Sequence, residues 1–314
     1  MMIDIYYLLK NKMNGTASAF AEAVFKLAKH FSSIDSLTCR LEESKMDFLT
    51  SKVLLIFFFL LLIHSIETLA YAARLSGARV GFIASALSLF NVMVIVSRMS
   101  NMIQQPVTGK LVDVAGAHAL SLVGQQFRFL IFGSTVGTIC GMLLLPTFVA
   151  VFSRAIVHLA GENGSVLHMF RKGLTKSSLK NIRQYVKKPS VHYMKGFQLR
   201  YIPKRLFVLN MVITAIYTIG VLAALYAGVL VPERHTTAVM ASGLVNGVAT
   251  MLLALFVDPK VSVLADDVAK GKRSYVYLKW ASVTMAVSRV TGTVLAQLLF
   301  IPASYYIAWM TKWM

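Results

Sequence analysis

Apolar residues gather into six stretches of the chain, and polar residues collect between them. Each stretch is about 20 residues or longer, the length an α-helix needs to cross roughly 30 Å of hydrocarbon. The stretches fall at about 52–75, 82–104, 129–153, 206–231, 235–257 and 279–309. In the third, apolar residues continue to Leu159, and the last reaches about 45 Å if wholly helical at 1.5 Å per residue. Pro302 is a candidate break in it. Tyr275, Tyr277 and Trp280 frame one end of this stretch, and Tyr305, Tyr306 and Trp309 the other, as interfacial anchors do. The expected fold class is an all-α integral membrane protein with about six transmembrane helices.

Composition supports that class. Of 314 residues, 57% are apolar and 14% charged, too few charges to keep the surface of a soluble domain wet. A net charge of +19 raises nucleic acid as a partner, but the cations are clustered. Twelve Lys or Arg lie from Arg154 to Arg205 against one acid, Glu162, a block that beside hydrophobic spans marks the cytoplasmic side. No nucleic-acid partner is therefore expected. Counting outward, the 258–278 loop and the turn at Arg79 are also inside, while the 105–128 and 232–234 connections and both termini are outside. Cys39 and Cys140 lie in unlike surroundings and imply no disulfide or zinc framework.

Residues 1–48 form a polar or amphipathic tail ahead of a single transmembrane domain, 49–314. The tail carries no signal-peptide pattern. "TASAFAEAVFKLAKHF" fits one amphipathic helix. An alternative is that translation begins at Met46.

The two halves repeat one another in order and spacing. "AARLSG" (72–77) matches "AALYAG" (223–228), and "ALSLFN" (86–91) matches "ASGLVN" (241–246). "PVTGKLVD" (106–113) matches "PKVSVLAD" (259–266), and "GTICGMLLLP" (137–146) matches "GTVLAQLLFIP" (292–302). Each unit would hold three spans, an odd number, so the second would be inverted relative to the first. Inverted three-helix repeats are an architecture of secondary transporters, with the substrate site near the midplane. Pro106 and Pro259 occupy matching ends of spans two and five, where a span can break.

Polar residues inside the spans form three stripes at helical spacing. Span two carries Asn91, Arg98 and Gln105 seven apart, with Ser88 and Asn101 alongside. Span one carries His64, Glu67, Thr68, Tyr71 and Arg74, and span six Arg289, Thr293 and Gln297. A charge at a helix centre costs about 2.5–3.5 kcal/mol on insertion scales, so these stripes should face one another or a wet cavity. Arg98 and Arg289 outnumber Glu67, which leaves a cationic cavity suited to an anion, and guanidinium matches phosphate oxygens in bidentate fashion. Plainer roles stand beside that one. Glu67 can neutralise Arg98 or Arg289 as a structural pair, Arg74 and Arg79 can snorkel, and His64 can be a hydrogen-bonded interior residue. Arg98 has no counterpart in the second half, where Leu253 stands seven residues after Asn246.

The basic loop alternates Lys and Arg with Phe170, Leu174, Leu179, Ile182 and Val186. It can lie on the inner leaflet and gather anionic lipid at roughly 1 kcal/mol per basic residue, or simply set topology. No GxxxxGK[ST], HExxH or GxSxG motif is present, so no enzyme activity, metal or cofactor is expected.

"LLIHSIETLAYAARLSGARVG" followed by "ALSLFNVMVIVSRMSNMIQQP" resembles the Amj family of bacterial membrane proteins. The likeness runs from about Lys52 onward and is strongest over 62–113, while the first 45 residues depart from the family pattern. The resemblance implies a flippase that moves lipid II, the undecaprenyl-diphosphate-linked peptidoglycan precursor, from the inner to the outer leaflet of the cytoplasmic membrane. Such a flippase stands in for the unrelated MurJ. Under that reading Arg98, Arg289 and Arg74 would face the diphosphate. Asn91, Asn101, Gln105 and Gln297 would line the cavity, and Glu67 with His64 would serve charge pairing or coupling. An integral-membrane enzyme acting on a prenyl diphosphate and a cell-envelope scaffold remain the alternatives.

Overall fold

The computed structural model describes residues 48–115, 120–161 and 204–314. The N-terminal tail and the basic stretch 162–203 lie outside the described residues. The elements are α1 (Ser51–Val80), α2 (Ile83–Ala115), α3 (Leu120–Gly161), α4 (Lys204–Leu230), a 3-10 turn (Pro232–Arg234), α5 (His235–Leu252), a π turn (Leu253–Val257), α6 (Asp258–Ala269) and α7 (Tyr275–Met310). With Pro232–Ala269 taken as one span, six helical spans among the described residues are long and apolar enough to cross a membrane. Among the described residues the protein is all-α, with six spans, and it is an integral membrane protein.

Local chemistry sets the ends of these helices. The Thr50 hydroxyl accepts from the Val53 N–H at 3.3 Å and starts α1. Gly81, at φ 81°, closes α1 in the left-handed conformation that glycine adopts without a Cβ penalty. Ser274 caps α7 in the same way as Thr50, accepting from the Val276 N–H.

The prolines break less than their sequence positions suggest. Pro106, Pro146 and Pro302 all sit inside continuous helices, so neither span two nor the last span ends at its proline. α2 continues to Ala115 and α3 begins at Leu120, which shortens the expected 105–128 connection to a few residues. In hydrocarbon a helix that stopped early would expose unpaired backbone groups, which outweighs the local cost of a proline. Pro259 instead follows the π turn and sits in the first turn of α6, where its missing N–H costs nothing.

α1 and α4 form the centre. α1 packs chiefly on α3 and α2, and α4 chiefly on α7 and α5. α2 and α5 are peripheral, with apolar side chains such as Ile95, Met102, Met240, Leu244 and Met251 facing outward. Burial along α1 recurs in α4 at a spacing of 150 residues. Ile63, His64 and Ser65 are buried, as are Ile213, Thr214 and Ala215; Glu67 and Tyr217, at matching positions, are slightly less buried. Unbroken burial follows, from Thr68 to Ala78 and from Thr218 to Gly228.

Two apolar clusters occupy the two ends of the bundle. One gathers Val53, Leu111, Phe127, Leu222 and Phe300; the other gathers Leu75, Val149, Leu206, Val261 and Leu278. Between them lies a polar band.

Glycines allow the tightest crossings. A Cβ on Gly137 of α3 would collide with the Leu61 backbone of α1, and one on Gly292 of α7 would lie 2.6 Å from the Met211 carbonyl oxygen of α4. Leu61 and Met211 are again 150 residues apart, and the two glycines are matched in the sequence repeat. Gly137→Val or Gly292→Val is expected to lower stability by about 1–3 kcal/mol through overpacking, read as an earlier thermal unfolding midpoint in detergent. Gly243→Ala, where nothing lies within 4 Å of the added carbon, should leave that midpoint unchanged or raised.

Candidate functional site

The polar band is organised by an ion pair between Glu67 of α1 and Arg289 of α7, both side chains nearly buried. Ser97 of α2 donates to the other Glu67 carboxylate oxygen at 2.8 Å. Glu67 of α1 is thus held by partners on two further helices, α2 and α7. A pair of opposite charges with supplementary hydrogen bonds is the form in which ions survive away from water.

Arg98 lies beside this pair. Its Nη1 donates to Thr250 Oγ1 of α5 at 2.8 Å, and its guanidinium stands 5.8 Å from the Tyr217 ring centroid. Among the described residues no carboxylate pairs with it. Glu67, Arg98, Thr214, Tyr217, Thr250 and Arg289 line a cleft of about 300 Å³, closed in part by Ile213, Ala249 and Leu253. With Glu67 and Arg289 neutralising one another, the cleft keeps one uncompensated cation, Arg98, at mid-span.

Arg74 belongs elsewhere. It is buried, donates to Asp258 Oδ1 at 2.8 Å and stacks 3.7 Å from the Phe90 ring centroid. It neither snorkels nor joins the cleft. Asp258 reads in sequence as the start of a loop, but the π turn carries the helix onward and turns that carboxylate inward against α1.

The span-two stripe is rotated by one residue from the sequence expectation. The buried row is Phe90, Ser97 and Gln104, not Asn91, Arg98 and Gln105. One residue is about 100° of helix, enough to put Asn91 on the exposed face and leave Gln105 half-buried outside the cavity linings. Arg98 stays in play because its length lets it reach across from the flank. Asn246, the repeat partner of Asn91, packs instead against Gly220. Gln297 is also diverted: it donates to the Arg128 carbonyl at 2.8 Å, and Arg128 donates back to the Gln297 carbonyl, clasping α3 to α7.

His64 and Asn101 fall in a second cavity of about 330 Å³ that shares Tyr217 with the first. Asn101 Nδ2 points to the Tyr217 hydroxyl at 3.5 Å, and Gln104 and Thr218 complete the polar lining. Deeper in the bundle, Asn210 donates to Ser288 Oγ at 2.6 Å and to the Met285 carbonyl, joining α4 to α7. Sequence periodicity missed Tyr217, Thr250, Asp258, Ser97 and Gln104. Tyr217 emerges as the counterpart of Glu67 only from the burial pattern, since the sequence repeat at 72–77 and 223–228 sets Glu67 against Thr218.

Six apolar spans around a buried, charged midplane cleft are the construction of a polytopic transporter rather than of a receptor anchor or a soluble enzyme. Residues 59–311 match the family model described as "Amj: Alternate to MurJ", and the chain belongs to that family. It is 75% identical over 268 residues to the "Lipid II flippase Amj" of Bacillus subtilis (strain 168). That alignment covers 85% of this chain and the whole of the other protein. No solved structure matches the chain.

The Glu67–Arg289 pair can be isolated by a double-mutant cycle. Glu67→Gln or Arg289→Gln alone is expected to cost about 3–5 kcal/mol by stranding a buried charge. The double variant should lose clearly less than the two added together, measured by unfolding in detergent.

Proposed function

We propose that the protein flips lipid II, or a closely related undecaprenyl-diphosphate carrier, from the inner to the outer leaflet of the bacterial cytoplasmic membrane. The observation that carries this reading is Arg98, a mid-span guanidinium that shares the cleft with Glu67 but, among the described residues, is hydrogen-bonded to a hydroxyl and lies near an aromatic ring without pairing with a carboxylate. A permanent cation held in hydrocarbon without a counter-ion is costly unless an anionic partner arrives. A diphosphate bridging α2 and α5 would meet Arg98 and Thr250 first, and Arg289 once Glu67 yields it. The name of the 75% identical relative points to the same substrate. The reaction is relocation of an intact lipid, so the chain acts as a transporter and not as an enzyme.

The cleft is several times too small for a disaccharide-pentapeptide. Transport therefore requires helices to separate, and α2 and α5 are placed for it. They are peripheral, they face lipid, and the Arg98–Thr250 hydrogen bond spans the gap between them. The undecaprenyl tail would stay in the bilayer beside them. The recurrence of burial between α1 and α4, and the matched glycine crossings, support two inverted three-helix units that rock about the Glu67–Tyr217 centre. In this reading the 154–205 segment is cytoplasmic and draws anionic inner-leaflet lipid.

Arg98→Ala is expected to insert at wild-type levels yet fail to rescue cells depleted of their main lipid II flippase, with lipid II accumulating in the inner leaflet. Arg98→Lys, which keeps charge but loses the bidentate fork, should rescue in part. Full rescue by both Arg98→Ala and Arg289→Ala would overturn the cationic-cleft reading.

A further inference from the structure

Two polar cavities, not one, meet at the midplane, and they are stacked along the helix axes. The second cavity takes Leu60, Ile63 and His64 from α1, on the Ser51 side of Glu67. It takes Asn101 and Gln104 from the Ala115 half of α2, and Thr218, Val221 and Leu222 from the Leu230 half of α4. Successive spans alternate in direction, so these three helix ends lie on one side of the bilayer. The first cavity lies further toward the opposite side and holds Glu67, Arg98 and Arg289. Tyr217 forms a wall of both.

One side-chain pair bridges the partition. His64 and Glu67 are three residues apart on α1, which makes them neighbours on a helix face with Cβ atoms about 5–6 Å apart. His64 faces one cavity and Glu67 the other. The imidazole is 2% exposed and its Nδ1 has no hydrogen-bond partner, although a buried polar nitrogen normally has one. Arg289 Nε is likewise buried and without a partner, so the guanidinium that holds Glu67 is itself only partly satisfied. Both cavities are polar enough to hold water.

We infer that His64 and Glu67 form a proton relay coupling a transmembrane proton gradient to substrate movement; this rests on the flippase reading above. Water in the second cavity delivers a proton to the free imidazole nitrogen of His64, forming an N–H bond. The imidazolium hands a proton to the Glu67 carboxylate, breaking an N–H bond and forming an O–H bond, and no group is oxidised or reduced. Neutral Glu67 no longer holds Arg289, which becomes an unpaired cation unless the substrate diphosphate takes its place. When the diphosphate leaves, Glu67 releases the proton into the first cavity and pairs again with Arg289.

Proton and anion therefore favour one another at the site, because either alone leaves a charge stranded in low dielectric. The groups that face Glu67 are Arg289 from α7, Ser97 and Arg98 from α2, Tyr217 from α4, Thr250 from α5, and His64 and Tyr71 from α1 itself. α3 meets this part of α1 with Gly137 and Gly141, and Asp258 of α6 is engaged by Arg74.

The test uses the full-length protein in liposomes with fluorescent lipid II, the membrane potential clamped at zero, and a pH gradient imposed in either direction. In the wild type, one pH unit should change the flipping rate by up to about tenfold per proton, and added lipid II should move protons reported by trapped pyranine. For His64→Asn and Glu67→Gln, the ratio of rates with and without the gradient should fall to about one. Wild-type flipping that ignores the gradient, with no lipid II-dependent proton movement, would overturn the relay alone. Failure of the wild type to move lipid II under any gradient would instead overturn the flippase reading. Should both variants fail to assemble, the wild-type pyranine trace decides.

Discussion

A carboxylate and a guanidinium at the centre of a bilayer can stay charged only against one another, and the rest of the bundle is arranged around that constraint. Glu67 and Arg289 sit on helices from opposite halves of the chain, and Ser97 ties in a third helix. To bring those groups together, α1 and α7 must approach closely. They do so through their neighbours: α1 is pressed on α3 at Gly137, and α4 on α7 at Gly292. Apolar clusters then close both ends, so that the polar band is walled from above and below by tightly packed side chains.

That arrangement creates an asymmetry with functional meaning. Of Arg74, Arg98 and Arg289, two are paired with a carboxylate, Arg289 with Glu67 and Arg74 with Asp258. Arg98 is met by a hydroxyl and a tyrosine face. The energetic logic of a low-dielectric site makes the one without a carboxylate the natural contact for an anion. The two that are paired hold helices in register, and in the proposed cycle one of those pairs is exchanged for a substrate. On the proposed reading, a structural ion pair and a transport site are the same residues at different moments of a cycle. This gives the Glu67 position its proposed double role without any additional machinery.

Much of this was legible in the chain of residues because membrane insertion is a strict filter. Six spans, the helical class and the family likeness all follow from long apolar runs and from phrases such as "SRMSNMIQQP". Periodicity also marked Glu67, Arg98 and Arg289 as interior groups. It was off by one residue along α2, where the buried row is Phe90, Ser97 and Gln104 instead of Asn91, Arg98 and Gln105, since a seven-residue spacing defines a stripe but not which way that stripe faces. It also placed Gln297 in the cavity, where the structure gives it to the Arg128 backbone.

What the sequence by itself determined is the inventory: how many helices cross, which residues must be shielded from lipid, and that cations exceed acids among them. Hydrophobicity and helical spacing suffice for that, because both act locally. What only the tertiary structure decided is pairing: Arg289 with Glu67, Arg74 with Asp258 across the π turn, Arg98 with Thr250, and a shared Tyr217 between two cavities. These contacts join residues more than a hundred positions apart. Their partners are chosen by how helices cross and rotate against one another, a property of packing that no single span contains.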